Sequence, residues 1–196
     1  STTLPRYIST TLILMAGVSA LTLFIGLSTA WAVTMCEFPG RRVFEWALLL
    51  PFAVPAYVIA YVYTDLLQYA GPLQGALRDW FGWQSARDYW FPEIRSLWGA
   101  TLMLGLVLYP YVYLLARAAF LEQSPSLFSV SRSLGHSAIS TFFRVVLPIA
   151  RPAIAVGLSL VLMETLNDFG TVDFFAVQTL TAGLFDTWMN LGNLGG

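Results

Sequence analysis

Long charge-free runs alternate with short charged stretches along this chain. Tyr7 to Cys36 carries no charge over 30 residues, Trp46 to Thr64 none over 19, and Ser96 to Ala116 none over 21. Each run can supply the roughly 20 residues, or fewer with flanking residues added, that cross about 30 Å of hydrocarbon as a helix. A fourth apolar run begins at Pro152 and continues past Glu164. Only helices or closed barrels satisfy their backbone groups in lipid. The pattern therefore predicts an all-α, polytopic transmembrane helix bundle with spans at 9–34, 43–67, 97–120 and 152–174.

The interruptions carry their own signals. Glu37 to Arg42 is short, with a Pro39-Gly40 turn and an arginine pair. Span two contains Pro51 and Pro55, each of which removes a backbone donor and should kink the helix. A bent pore-lining helix and a kinked packing helix both fit that pattern. Residues 68–96 are polar and aromatic, with three arginines balanced by three acids. Trp80, Trp83, Trp90 and Phe91 suit the membrane interface, and a short helix through Leu73 to Phe81 is expected. Span three holds Pro110 between tyrosines. Tyr109, Tyr111 and Tyr113 cannot all share one helical face, so at most some of them line a pathway, and Tyr109 is a candidate.

The longest polar interruption between apolar runs in the second half is 121–151. Ser124-Pro125 is a helix start, a capping hydroxyl followed by proline at the first helical position. Leu127, Val130 and Leu134 then recur at helical spacing, and Gly135 should stop or bend that helix. Ala138, Ile139, Phe142, Phe143 and Val146 form a second apolar face. Pro148 is expected to close the piece, with Arg151-Pro152 opening span four. Two short amphipathic helices joined by a glycine cannot bury their apolar stripes in the bilayer interior. They need a partner surface, their own bundle or the headgroup layer.

Composition narrows the function. The chain is 57% hydrophobic and 11% charged, with net charge −1, well below the ~25% charged residues of soluble domains. All its basic residues are arginine. Without lysine no Walker A loop can hold a nucleotide, so any ATP must be bound by another chain. No basic patch points to nucleic acid. Cys36 is alone, which excludes an internal disulfide and a cysteine metal cluster. Arg41, Arg42, Arg117, Arg132, Arg144 and Arg151 fall in two loops and their helix ends. The positive-inside rule puts 37–45 and 117–151 in the cytoplasm and both chain ends and 68–96 outside. Ser1 opens the chain and Asn193 to Gly196 ends it, as expected of a piece of a longer protein.

One stretch supports a family reading. Gly135 is followed by nine residues and then Val145, Val146, Leu147 and Pro148, continuing as Ile149-Ala150-Arg151-Pro152. This resembles the cytoplasmic loop of bacterial ABC importer permeases, whose pattern is Glu-Ala-Ala, three residues, Gly, nine residues, Ile, one residue, Leu-Pro. The Glu-Ala-Ala positions are Ser129, Val130 and Ser131 here, a departure that removes the acidic side chain. Leu108 to Phe120 and Met163 to Phe174 are similar to ferric-iron permeases, in which one chain often carries two halves. The resemblance covers nearly the whole chain, as a first half. It implies a multi-pass protein of the bacterial inner membrane that takes solute from a periplasmic binding protein. An ATPase dimer in the cytoplasm would supply the energy, alongside a second permease half and membrane lipid. The residues it places at the ATPase are Ser129, Val130, Ser131, Arg132, Gly135, His136, Val145, Leu147 and Pro148. No cofactor is expected on the chain itself, ATP acting through the partner. Related permeases carry other solutes, including oxyanions, thiamine and polyamines.

Span four carries carboxylates. Glu164 lies about 18 Å along a helix counted from Pro152, at 1.5 Å per residue. Asp168 is expected one turn further on the same face, flanked by Asn167 and Thr171. A carboxylate facing lipid there costs roughly 3 kcal/mol or more. Both should face the bundle interior or a wet cavity, either lining a cation pathway or pairing with an arginine or broken backbone. Hard Fe³⁺ suits oxygen ligands by the preference of hard cations for carboxylates. The alternative function is an ion-coupled secondary transporter using Glu164 and Asp168. His136 lacks companion metal ligands, and no catalytic set assembles on one membrane face, so no enzyme is expected.

Overall fold

The computed structural model describes residues 3–85 and 87–191; Ala86 of the expected outer loop and the Asn193 to Gly196 end lie outside them. The described residues form helices and turns without strands: α1 (Thr3–Met35), α2 (Arg41–Ala47), a 3-10 turn (Leu50–Ala53), α3 (Ala56–Leu67), α4 (Pro72–Phe81) and α5 (Leu97–Leu121). Then follow α6 (Pro125–Ser133), α7 (Ala138–Thr141), a π turn (Phe142–Val146), α8 (Leu147–Asn167), α9 (Gly170–Phe174) and α10 (Leu180–Leu191). Three helices among them are long and apolar enough to cross a membrane, Leu4–Met35, Leu97–Leu121 and Ala138–Asn167, and the broken pair Arg41–Ala53 with Ala56–Phe81 would make a fourth.

Three sequence expectations need correction. Span two is broken, not kinked. Its helix ends at Ala47 and resumes only at Ala56, with Pro55 extended at ψ 143°. Proline disfavours helical backbone at the residue before it, and Val54 sits there. Pro148, by contrast, does not end its helix, and Pro152 does not start one. The helical run continues from Ala138 to Asn167. The π turn directly before Pro148 accommodates it, because a wider turn eases the clash of the proline ring with the preceding carbonyls. Span four then stops early. α8 ends at Asn167, so Asp168 does not continue its face.

The chain divides into two compact units. One comprises Ser1–Val18, Val54–Val107 and Thr165–Gly196. In it α3 packs on α9, Tyr61 lies against Phe174 at 5.9 Å between ring centroids, and the Leu180 amide donates to Thr11 Oγ1 at 3.0 Å. The described residues of its 68–96 segment include an aromatic pad. Phe81, Trp83 and Tyr89 stack at 4.7 Å between successive rings. Arg78 donates to the Tyr69 carbonyl at 2.8 Å and to Tyr89 Oη at 3.1 Å, and Tyr89 Oη donates to Gln74 at 2.6 Å. The Gln84 and Ser85 amides donate to Asp88 Oδ2 at 2.9 and 2.7 Å, and these amides hold its carboxyl below the usual carboxylate range.

The other unit comprises Ser19–Ala53 and Leu108–Glu164. Its core joins Ala30, Val33, Tyr109, Tyr113, Ala116, Phe120, Val146 and Ala150. Trp31 and Phe120 both pack edge-on against Phe142, at 4.7 and 6.1 Å. This unit contains the whole 121–151 loop.

Candidate functional site

The loop is built from caps outward. Ser124 accepts the Ser126 amide and starts α6, with Pro125 in its first turn. The helix ends in a Schellman turn. Gly135 has φ +81°, its amide donates to the Arg132 carbonyl at 2.9 Å, and the His136 amide donates to the Ser131 carbonyl at 3.1 Å. Ser137 then caps α7 by accepting the Ser140 amide at 3.2 Å. Ser131 and Thr141 share a buried hydroxyl bond of 2.7 Å that ties α6 to α7. Thr141 donates to the Ser137 carbonyl, which leaves Ser131 as donor in that pair. His136 sits half-buried with Nδ1 3.3 Å from Ser140 Oγ.

One side of the loop is anchored. Val146 is fully buried, and Gln123 donates to its carbonyl at 3.1 Å. The other side is open. Val130 is 57% exposed, Leu134 and Ile139 are each 72%, and Phe143 is 62%. Arg132 and Arg144 are exposed among them. Ser129 is exposed on α6, whereas Val145, Leu147 and Pro148 are half-buried. The loop thus presents four large apolar side chains and two arginines on a bonded helix–turn–helix frame.

A second cluster was not foreseen. Where α2 tightens, Leu49 donates to Trp46 and Phe52 to Leu49. That shift orphans the carbonyls of Glu45 and Leu48. Tyr113 Oη donates to the first at 3.3 Å and Tyr109 Oη to the second at 2.8 Å. Such freed carbonyls must find donors inside a membrane. Tyr109, expected on a pathway, is 8% exposed in the core and bonded to backbone. Glu45 itself lies 3.2 Å from Arg117 Nη2 and 3.6 Å from Arg41 Nε. The sequence signal was available in the i, i+4 spacing of Arg41 and Glu45, and in a lone arginine ending α5. Arg117→Met should destabilise the protein by about 1–3 kcal/mol, between the values for exposed and buried pairs because both side chains are partly accessible. Thermal unfolding in detergent checks this. The Arg117→Met, Glu45→Gln double variant should lose less than the sum of the single variants.

The carboxylates separate. Glu164 is exposed on α8 and accepts from Tyr111 Oη at 3.4 Å, with Tyr111 against Phe52 at 4.7 Å. Asn167 is exposed at the end of α8. Asp168 is half-buried and belongs to the other compact unit, where its Oδ1 accepts the Thr171 amide at 3.0 Å and helps start α9. Among the described residues no three His, Cys, Asp or Glu side chains group as a metal site.

Comparison with known proteins fits this architecture. Residues 9–187 match the family model of the binding-protein-dependent transport system inner membrane component. The chain is similar to the Fe(3+)-transport system permease protein FbpB 2 of Haemophilus influenzae, 26% identical over 181 residues, which are 92% of this chain and 31% of that protein. It is also similar to the molybdenum transport system permease protein ModB of Escherichia coli K12, 29% identical over 150 residues (76% of this chain and 62% of that one). The probable sulfate transport system permease protein cysT of Nephroselmis olivacea is 32% identical over 152 residues, 75% of this chain and 49% of that one. The chain thus spans less than two thirds of each relative's length. The solved structure of an amino acid ABC transporter with histidines shares the fold, with TM-score 0.59 and 21% identity over 97% of this chain and 81% of that one. By its match to the family model over most of its length, this chain belongs to the family of binding-protein-dependent transport system inner membrane components.

Proposed function

We propose that the chain is part of the membrane-spanning permease of an ATP-driven importer, energised by a separate ATPase dimer docked on residues 121–151. A periplasmic binding protein delivers the solute, and a second permease half completes the pathway. The observation that carries this reading is the open face of the loop. Four exposed apolar side chains are held on a capped, hydroxyl-bonded frame, which suits insertion into a partner's groove. Partner substitution tests it. Val130→Asp with Ile139→Asp should release an ATPase that copurifies with the full-length permease, and retained binding would overturn the docking reading.

Ferric iron is the proposed solute. Two facts support it: the ferric-iron relative aligns along more of this chain than the sulfate and molybdate ones, and Glu164 offers an exposed carboxylate with a tyrosine hydroxyl beside it. A carboxylate there favours a cation over an oxyanion. Glu164→Gln should lower ferric uptake by tenfold or more with assembly unchanged; equal uptake would remove Glu164 from the pathway. In direct competition iron should accumulate and sulfate and molybdate should not. An ion-coupled carrier would need Asp168 as a second site, yet one oxygen of that carboxylate is engaged in starting α9.

A further inference from the structure

A pocket of about 720 Å³ lies within the unit that holds the aromatic segment, between the end of α3, α4 and residues 89–95. Part of its lining is already bonded. Gln74 is buried, donates through Nε2 to the Leu67 carbonyl at 2.7 Å and accepts from Tyr89 Oη at 2.6 Å. The charged residues in the lining are Glu93 and Arg95. Both are exposed, and among the described residues neither forms an ion pair, with the other or elsewhere. The Arg95 guanidinium lies over the Phe174 ring, 5.0 Å from its centroid. A guanidinium stacked through its face keeps the N–H groups at its edge free to donate.

Tryptophans fix the depth of this pocket. Trp80 on α4, Trp90 in the pocket lining and Trp98 in the first turn of α5 are each at least 80% exposed. An indole favours the membrane boundary, where its ring leaves water and its N–H keeps a polar partner. The last lining residue, Arg95, stands two positions before α5, which is apolar and long enough to cross the membrane. The pocket is therefore continuous with the start of a span, at the level of the lipid headgroups.

We propose that this pocket binds the headgroup of a zwitterionic phospholipid, phosphatidylethanolamine. The phosphate would accept from Arg95, and the ammonium would donate to the Glu93 carboxylate beside the Trp90 ring. Phe91 and Ile94, half-buried in the same lining, would cover the glycerol and the first methylenes. A zwitterion fits because the site offers one charge of each sign, two positions apart in sequence and unpaired. An anionic headgroup would satisfy Arg95 and leave Glu93 facing a like charge. Residues 68–96 as a whole carry three arginines and three acids, so they present no net charge to steer a charged protein partner. A lipid held here would fasten the aromatic segment to the membrane surface. The site shares no residue with the docking loop and does not depend on it.

The test uses the full-length permease in nanodiscs made of equal parts phosphatidylethanolamine and phosphatidylglycerol. The protein is extracted into detergent, and the lipid it retains is counted by native mass spectrometry. The parent should retain phosphatidylethanolamine over phosphatidylglycerol by about tenfold, as expected of one charge-assisted bond. Glu93→Gln should abolish that preference with thermal unfolding in lipid-free detergent unchanged, because Glu93 is exposed and unpaired. Arg95→Gln should lower retention of both lipids by about tenfold, since both present a phosphate. Equal retention of the two lipids by the parent, or a preference that survives Glu93→Gln, would overturn the proposal. It also fails if the two variants retain lipid as the parent does and instead weaken capture of the solute-binding protein, which would make the pocket a protein contact.

Discussion

On the proposed docking, replacing Gly135 with proline should lower the affinity for the ATPase by about a hundredfold or more while leaving the membrane helices folded. Proline holds φ near −65°, and this position requires +81°. Proline also lacks the amide that donates to the Arg132 carbonyl. Both changes act on the Schellman turn, so α6 would no longer stop where α7 can fold back. The buried Ser131–Thr141 bond depends on that reversal. Val130 and Leu134 before the turn and Ile139 and Phe143 beyond it, all exposed, would then lose the frame that holds them together. A Cβ added at Gly135 meets nothing within 4 Å, so the constraint is the backbone angle alone. Gly135→Asn is the control, because asparagine tolerates the left-handed region. It should bind within about threefold of the parent, by the small cost of that conformation. Surface-captured permease titrated with ATPase measures both.

Gly26→Leu should prevent stable assembly of the unit that carries the loop. A Cβ at Gly26 would stand 2.8 Å from Val112 Cβ, 2.9 Å from Val112 Cγ1 and 3.1 Å from the Tyr113 amide nitrogen. The last is backbone and cannot turn away. Even Gly26→Ala should cost about 1–3 kcal/mol through overpacking, and leucine considerably more. The contact also lies beside Tyr113, whose hydroxyl bonds the Glu45 carbonyl. Forcing α1 and α5 apart would free that carbonyl and strain the Arg117–Glu45 pair. Gly17 makes a useful contrast within the other unit. Its nearest neighbour would be the Thr101 Cγ2 methyl at 2.7 Å, the end of a side chain. Gly17→Ala should therefore be the milder of the two alanine variants. Size-exclusion profiles and thermal unfolding in detergent compare them.

The parts that were legible in the sequence are those governed by local chemistry. Charge-free runs located the spans because hydrocarbon excludes ions. Ser124-Pro125 and Gly135 located the loop helices because capping and positive φ are properties of single residues. The helix–glycine–helix outline of the loop followed from a motif spacing. The failures are of another kind. Pro148 predicts a terminus from its residue type, but a π turn carries the helical run past it. Tyr109 is a pathway candidate by sequence, and Tyr113 is left open beside it. Their roles are set by carbonyls of Leu48 and Glu45, freed by a break in a different helix. Asp168 shares the face of Glu164 only in a continuous helix, whereas α8 ends one residue before it. The tyrosine roles turn on partners distant in sequence. Proline and carboxylate positions show that something must satisfy the backbone, and not what does.

The most direct test of the central claim is solute uptake into proteoliposomes holding the full-length permease, its ATPase and its binding protein. ATP inside the vesicles, on the side facing the 121–151 loop, with binding protein and ferric iron outside should drive iron accumulation. Omitting ATP or binding protein should abolish it, and Gly135→Pro should abolish it with all components present. Accumulation driven by an imposed proton gradient without ATP, and unaffected by Gly135→Pro, would contradict the account.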